Sequence, residues 1–142
     1  MVVSRKTINF VCDKNQRTMK AIKTNMAPAA IGPYSQAIEA NGMVFLSGQL
    51  PINPQTGEMP EGIEAQTRQS LTNARAILAE AGLTMSDVVK TTVLLADIAD
   101  FAAMNAVYSE FFSEPFPARS AFAVRDVPKG ALVEIECIAV RR

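Results

Sequence analysis

Apolar residues recur at helical spacing between Ile63 and Ala81, where Leu71, Ala74, Leu78 and Ala81 form one stripe. Gly82 follows at the position where helices commonly end in a left-handed residue. The next run, VVKTTVLL at Val88–Leu95, is β-branched and too short for a typical helix, so it predicts a strand. A second helix follows, with Asp97 or Asp100 as its N-cap. Its apolar face holds Phe101, Met104, Asn105, Tyr108, Phe111 and Phe112, and Glu114-Pro115 closes it. Upstream, Ser35–Ala40 and Met43–Ser47 read as paired strands around Asn41-Gly42, two residues that tolerate positive φ. Downstream, strands are expected at about 119–125 and 133–140, joined by the turn DVPKGA. In the last strand Val133, Ile135, Cys137 and Ala139 take one face, and Glu134, Glu136, Ile138 and Val140 take the other.

The predicted order is β-β-α-β-α-β-β, an α+β fold with two helices on one face of a mixed sheet. Val, Leu, Ile and Ala occupy both faces of the strands, so a neighbouring subunit is expected to cover the second face. Residues 1–19 lack a clear period and carry Arg5, Lys6, Lys14 and Arg17 against Asp13. They are expected to form an extension with no packed role, ahead of a single domain at 20–142.

Composition narrows the chemistry. The chain has 142 residues, 14 basic and 14 acidic, with no net charge, which argues against a nucleic-acid binder driven by a basic surface. No apolar run reaches transmembrane length and no secretory signal pattern stands at the start, so a cytoplasmic setting is expected. Two cysteines, Cys12 and Cys137, are too few for a disulfide framework or a structural zinc site. The chain contains no histidine, which removes Ser-His-Asp and Cys-His nucleophilic machinery. Proton transfer must use a carboxylate, Tyr, Lys, Cys or water.

Arg119, within FPARSAF, has no acidic residue within four positions. Its planar fork suits a carboxylate, and that partner is either Glu134 or Glu136 internally or a small acid from outside. Carboxylates beside Ile138 and Val140 tend towards a raised pKa, which suits proton transfer near neutrality. Tyr34 follows the stiff Gly32-Pro33 pair, placing its phenol over a cleft or in packing. Ser47-Gly48 ends a strand, and Gly48 permits close approach of a ligand. Asn105 on an apolar face requires a hydrogen-bond partner, expected to be structural. Cys137 reads as inert core. Together these residues supply a cation for a carboxylate, a carboxylate for a water, and a loop phenol.

Five segments, APAAIGPYSQA, SGQLPINPQTGE, QTRQSLTNARAILAEAGL, VVKTTVLLADIADFAAMNAVY and FPARSAF with VPKGALVEIECIAV, closely resemble the RidA/YjgF family of enamine/imine deaminases. The resemblance runs from about Met19 to Arg142. It implies a chorismate-mutase-like fold and a homotrimer with clefts between subunits. It also implies hydrolysis of 2-iminopropanoate and 2-iminobutanoate to 2-oxo acids and ammonia, without cofactor or metal. Carried over by position, Arg119 grips the substrate carboxylate and Glu134 orients the attacking water. Tyr34 lines the cleft, with Ser47 and Gly48 beside the imine. The residue two after the arginine is often Cys in relatives and is Ala121 here, which leaves only its backbone to contact ligand. The segment before FPARS is also short. A small-acid sensor on the same scaffold, or a deaminase for a larger enamine acid, remains an alternative.

Overall fold

The computed structural model describes residues 18–142. The expected extension therefore lies, through residue 17, outside the described residues, as does Cys12. The elements are β1 Lys20–Ile22, β2 Ala37–Ala40, β3 Met43–Gln49, α1 Ile63–Glu80, β4 Val88–Leu95, α2 Phe101–Tyr108, β5 Ala118–Ala123 and β6 Val133–Val140. They form one six-stranded sheet in the order β1-β2-β3-β6-β4-β5. Only β4 and β5 run parallel. A helix between them makes the long connection that parallel pairing needs.

The β2–β3 hairpin turns on Asn41 at φ 52° and Gly42 at φ 73°, two adjacent positive values that suit a two-residue hairpin turn. Strand β1 was not expected from the sequence. It is three residues long, and its pairing with β2 rather than its own pattern makes it a strand. Both helices lie on one face of the sheet, above Val44, Val93, Leu95, Val133, Ile135 and Ala139, all fully buried. Helix α1 ends as predicted. Leu83 N–H reaches the Leu78 carbonyl, Gly82 N–H reaches that of Ala79, and Gly82 sits at φ 74°.

Helix α2 is shorter than the pattern predicts. It stops at Tyr108 rather than at Glu114-Pro115, because its end tightens. Glu110 and Phe111 donate to the carbonyls of Val107 and Tyr108, three residues back, and the Ser109 hydroxyl takes the Ala106 carbonyl. Phe112 is still buried from this turn. At the other end Asp97, not Asp100, supplies the cap, accepting from Ala99 N–H at 2.9 Å. Among the described residues no helix covers the outer face of the sheet. There Phe45 is 42% and Phe122 48% exposed, and Leu94, Ile138 and Val140 are half-buried.

Candidate active site

Arg119 lies on the edge strand β5, in register with Thr91 of β4. Thr91 is fully buried and its hydroxyl is 2.7 Å from the Tyr108 hydroxyl, so this register position faces the helices. Arg119 shares that face. Its guanidinium carbon stands 4.7 Å from the Tyr108 ring centroid and 5.4 Å from that of Phe101. Its Nη1 donates to Asn105 Oδ1 at 2.6 Å. Asn105 thus finds its partner in the arginine and not in buried backbone. Two aromatic faces and one amide fix the fork without neutralising it. Among the described residues the ion pairs are Arg68–Glu110, Arg125–Asp126, Arg141–Glu39 and Arg142–Asp87, and none involves Arg119.

Burial holds the Tyr108 phenol above its ordinary range, against the opposing pull of the Thr91 hydrogen bond and the Arg119 charge. It therefore stays a neutral hydroxyl at physiological pH. The arginine, Asn105, Tyr108, Phe116 and Pro117 line a cavity of about 410 Å³. Backbone donors lie along the same edge. Val124 N–H reaches the Leu95 carbonyl at 2.9 Å, and alternation along the strand turns the N–H groups of Arg119, Ala121 and Ala123 towards the open side.

Glu134 occupies the opposite face of the sheet. It lies between fully buried Val133 and Ile135 and in register with Leu94, three positions along β4 from Thr91 and hence of opposite parity. Internal pairing of Arg119 with Glu134 or Glu136 is thereby ruled out within one chain. Burial, with the Glu136 charge adding, holds the Glu134 carboxyl above the usual carboxylate range. The carboxylate lies directly on Gly48. A β-carbon there would stand 2.2 Å from Glu134 Oε1, so any larger residue displaces the carboxylate. The register of β3 against β6 shifts between Leu46 and Gln49, a bulge around this contact.

Gly48 and Tyr34 share a second cavity of about 200 Å³, with Ile31, Leu50, Ile52 and Lys129 among its walls. The Ser47 hydroxyl donates to the Ser35 carbonyl at 2.6 Å and ties β3 to the Tyr34 loop. The fold thus brings Tyr34, Ser47, Gly48 and Glu134 near one another, and sets Arg119 and Ala121 elsewhere.

Several residues that shape the site were not singled out in the sequence. The Gln36 side chain is buried, donating to the carbonyls of Thr24 and Pro28 and accepting from Thr24 N–H, which fixes the loop leading to Tyr34. On α1, Ser70 donates to the Gln49 carbonyl and Asn73 to those of Leu50 and Ile52. Gln66 bridges the Pro60 carbonyl and Leu132 N–H, just ahead of β6. Gln66, Ser70 and Asn73 recur at i, i+4 and i+7, a polar row beside the apolar stripe, and that spacing was the available signal. Cys137 is buried core, its thiol pushed up to about 12 by burial. Among the described residues no three Cys, Asp or Glu side chains converge as a metal cage.

Comparison with known proteins shows which family the chain belongs to. Residues 24–141 match the endoribonuclease L-PSP family. The chain is 53% identical over 126 residues to a 2-iminobutanoate/2-iminopropanoate deaminase of Escherichia coli K12, covering 87% of this chain and 98% of that one. It is 55% identical over 125 residues to a RutC family protein of Haemophilus influenzae, covering 85% and 96%. The crystal structure of E. coli TdcF with bound serine superposes with a TM-score of 0.83 at 48% identity, covering 87% of this chain and 99% of that one. The chain belongs to the L-PSP family, the group that contains the RidA/YjgF deaminases.

Proposed function

We propose that the chain hydrolyses small 2-imino acids, 2-iminopropanoate and 2-iminobutanoate, to 2-oxo acids and ammonia. The carrying observation is Arg119: a guanidinium fixed by Asn105 and Tyr108, beside a cavity, with no carboxylate partner among the described residues. The deaminase named among its relatives supports the reading. In this reading Arg119 takes the substrate carboxylate through a charge-assisted fork, and the N–H of Ala121 adds a donor.

The chemistry needs little more. A protonated imine is electrophilic, and water adds to C2 as Glu134 accepts its proton. The C2–O bond forms while the C=N π pair moves to nitrogen. A proton then reaches nitrogen, the C–N bond breaks, ammonia leaves, and the hydroxyl proton is lost as the carbonyl forms. A carboxylate whose pKa is raised by burial takes a proton from water more readily than an ordinary one. Holding the reactants together supplies much of the rate enhancement.

Arg119 and Glu134 face opposite sides of one sheet, so the working site takes one from each of two copies. We place the chain in a cytoplasmic homotrimer whose clefts join the Arg119 cavity of one subunit to the Gly48–Tyr34 cavity of the next, beside Glu134. The exposed apolar residues on the outer sheet face support such packing. RNA cleavage is disfavoured by the zero net charge and the absence of histidine. The test couples purified chain to a serine or threonine dehydratase and follows 2-oxo acid release. Acceleration over buffer is expected. Oxo-acid binding without acceleration would favour a sensor instead.

A further inference from the structure

The turn before β6 contains a residue that the reaction above does not use. Lys129 has φ 59° and ψ 22°, a left-handed conformation that L side chains other than Asn and Asp seldom adopt. Its neighbour Gly130 is also left-handed, at φ 69°, and a β-carbon there would meet nothing within 4 Å. A second glycine at 129 would relieve the strain, yet a long cationic side chain stands there. The turn is held on both sides. Val127 and Ala131 are buried, Ala131 N–H reaches the Pro128 carbonyl, and Leu132 N–H is fixed by Gln66.

Lys129 lines the same cavity as Tyr34 and Gly48. The walls around it include Pro28, Ile31, Leu50 and Ile52, so the cation stands beside an apolar slot. Among the described residues it makes no ion pair. The Glu134 carboxyl lies on Gly48, at the edge of this cavity. Lys129 lines this cavity, whereas Glu134 meets it only through Gly48.

We propose that this cavity receives the substrate side chain and that Lys129 selects side chains ending in a carboxylate. This inference rests on the deaminase reading for the position of the reacting carbon, at Glu134 and Gly48. The α-carboxylate is taken by Arg119, the chain of methylenes lies along Ile31, Tyr34 and Ile52, and a terminal carboxylate meets the Lys129 ammonium. The substrate range then extends from three- and four-carbon imino acids to dicarboxylic ones of glutamate size. Sparsely populated backbone conformations of this kind cluster at active sites and ligand clamps.

Binding of stable oxo acids tests this separately from turnover. Calorimetric titration with 2-oxobutanoate, 2-oxohexanoate and 2-oxoglutarate is done on the wild-type protein and on Lys129→Met, Lys129→Gly and Lys129→Arg. Wild type should bind 2-oxoglutarate more tightly than 2-oxohexanoate by about twofold to fivefold, the range of an exposed ion pair. Lys129→Met and Lys129→Gly should both abolish that preference while 2-oxobutanoate binding stays unchanged, and Lys129→Arg should restore it. Lys129→Gly also removes the backbone strain, so a loss shared with Lys129→Met belongs to the cation. Equal affinity of the wild type for the two longer acids would overturn the proposal, as would a preference that survives both neutral substitutions. Failure of the dehydratase-coupled assay with these binding results intact would overturn the deaminase reading and leave the side-chain site standing.

Discussion

Arg119 and Tyr108 form one unit: the guanidinium carbon lies 4.7 Å from the phenol ring, and the phenol hydroxyl is locked 2.7 Å from Thr91. The core orients the ring, and the ring orients the cation. A lysine cannot reproduce this, because it lacks both the planar stack and the fork. Arg119→Lys should therefore lower kcat/KM for 2-iminopropanoate about tenfold to a hundredfold, the worth of a charge-assisted pair. Far-UV circular dichroism and the melting temperature should stay near wild type, since the arginine is exposed at an edge strand. Retained activity would remove Arg119 from the mechanism.

Tyr108→Phe separates support from chemistry. It leaves the fully buried Thr91 hydroxyl without its partner, which costs about 1–3 kcal/mol. Denaturant unfolding should show that loss, with most of the activity kept because the ring under Arg119 remains.

Gly48→Ala acts on the other half of the site. The added methyl would stand 2.2 Å from Glu134 Oε1, and the carboxylate must swing away. A displacement of about 1 Å can cost about a hundredfold in rate, so kcat should fall by that order. Substrate-carboxylate binding, read as the affinity for 2-oxobutanoate, should change little.

The raised pKa of Glu134 gives a pH signature. Folding favours its protonated form, so its stabilising contribution is complete below the unfolded value of about 4.3 and is lost as pH rises through the folded value. Glu134→Gln keeps a neutral group at all pH values. It should raise the melting temperature at pH 7, and the difference should close near pH 4. A variant that is less stable at pH 7 would contradict the direction.

The sequence carried the elements with strong local signals. Asn41-Gly42 fixed a hairpin, Gly82 ended a helix, and alternation through Val133–Val140 separated the core face from the glutamates. The end of α2 was not legible, because the tightened turn at Ser109 keeps Phe111 and Phe112 on the helical pattern after the helix has stopped. Strand β1 depends on a partner distant in sequence. The residue types of the site were legible, but their grouping was not. Whether Arg119 shares a face with Glu134 depends on which strands lie between them, and β4 sets that through Thr91 and Leu94.

The central claim is that one working site combines Arg119 of one copy with Glu134 of another. The direct measurement is deaminase activity in oligomers refolded from equal amounts of Arg119→Ala and Glu134→Gln chains, each inactive alone. In a cyclic assembly with random mixing, about a quarter of the clefts receive both intact residues. Activity should return to about that fraction of wild type. Mixed oligomers that remain as inactive as their parents would show that both residues must come from the same chain, and the account would fail.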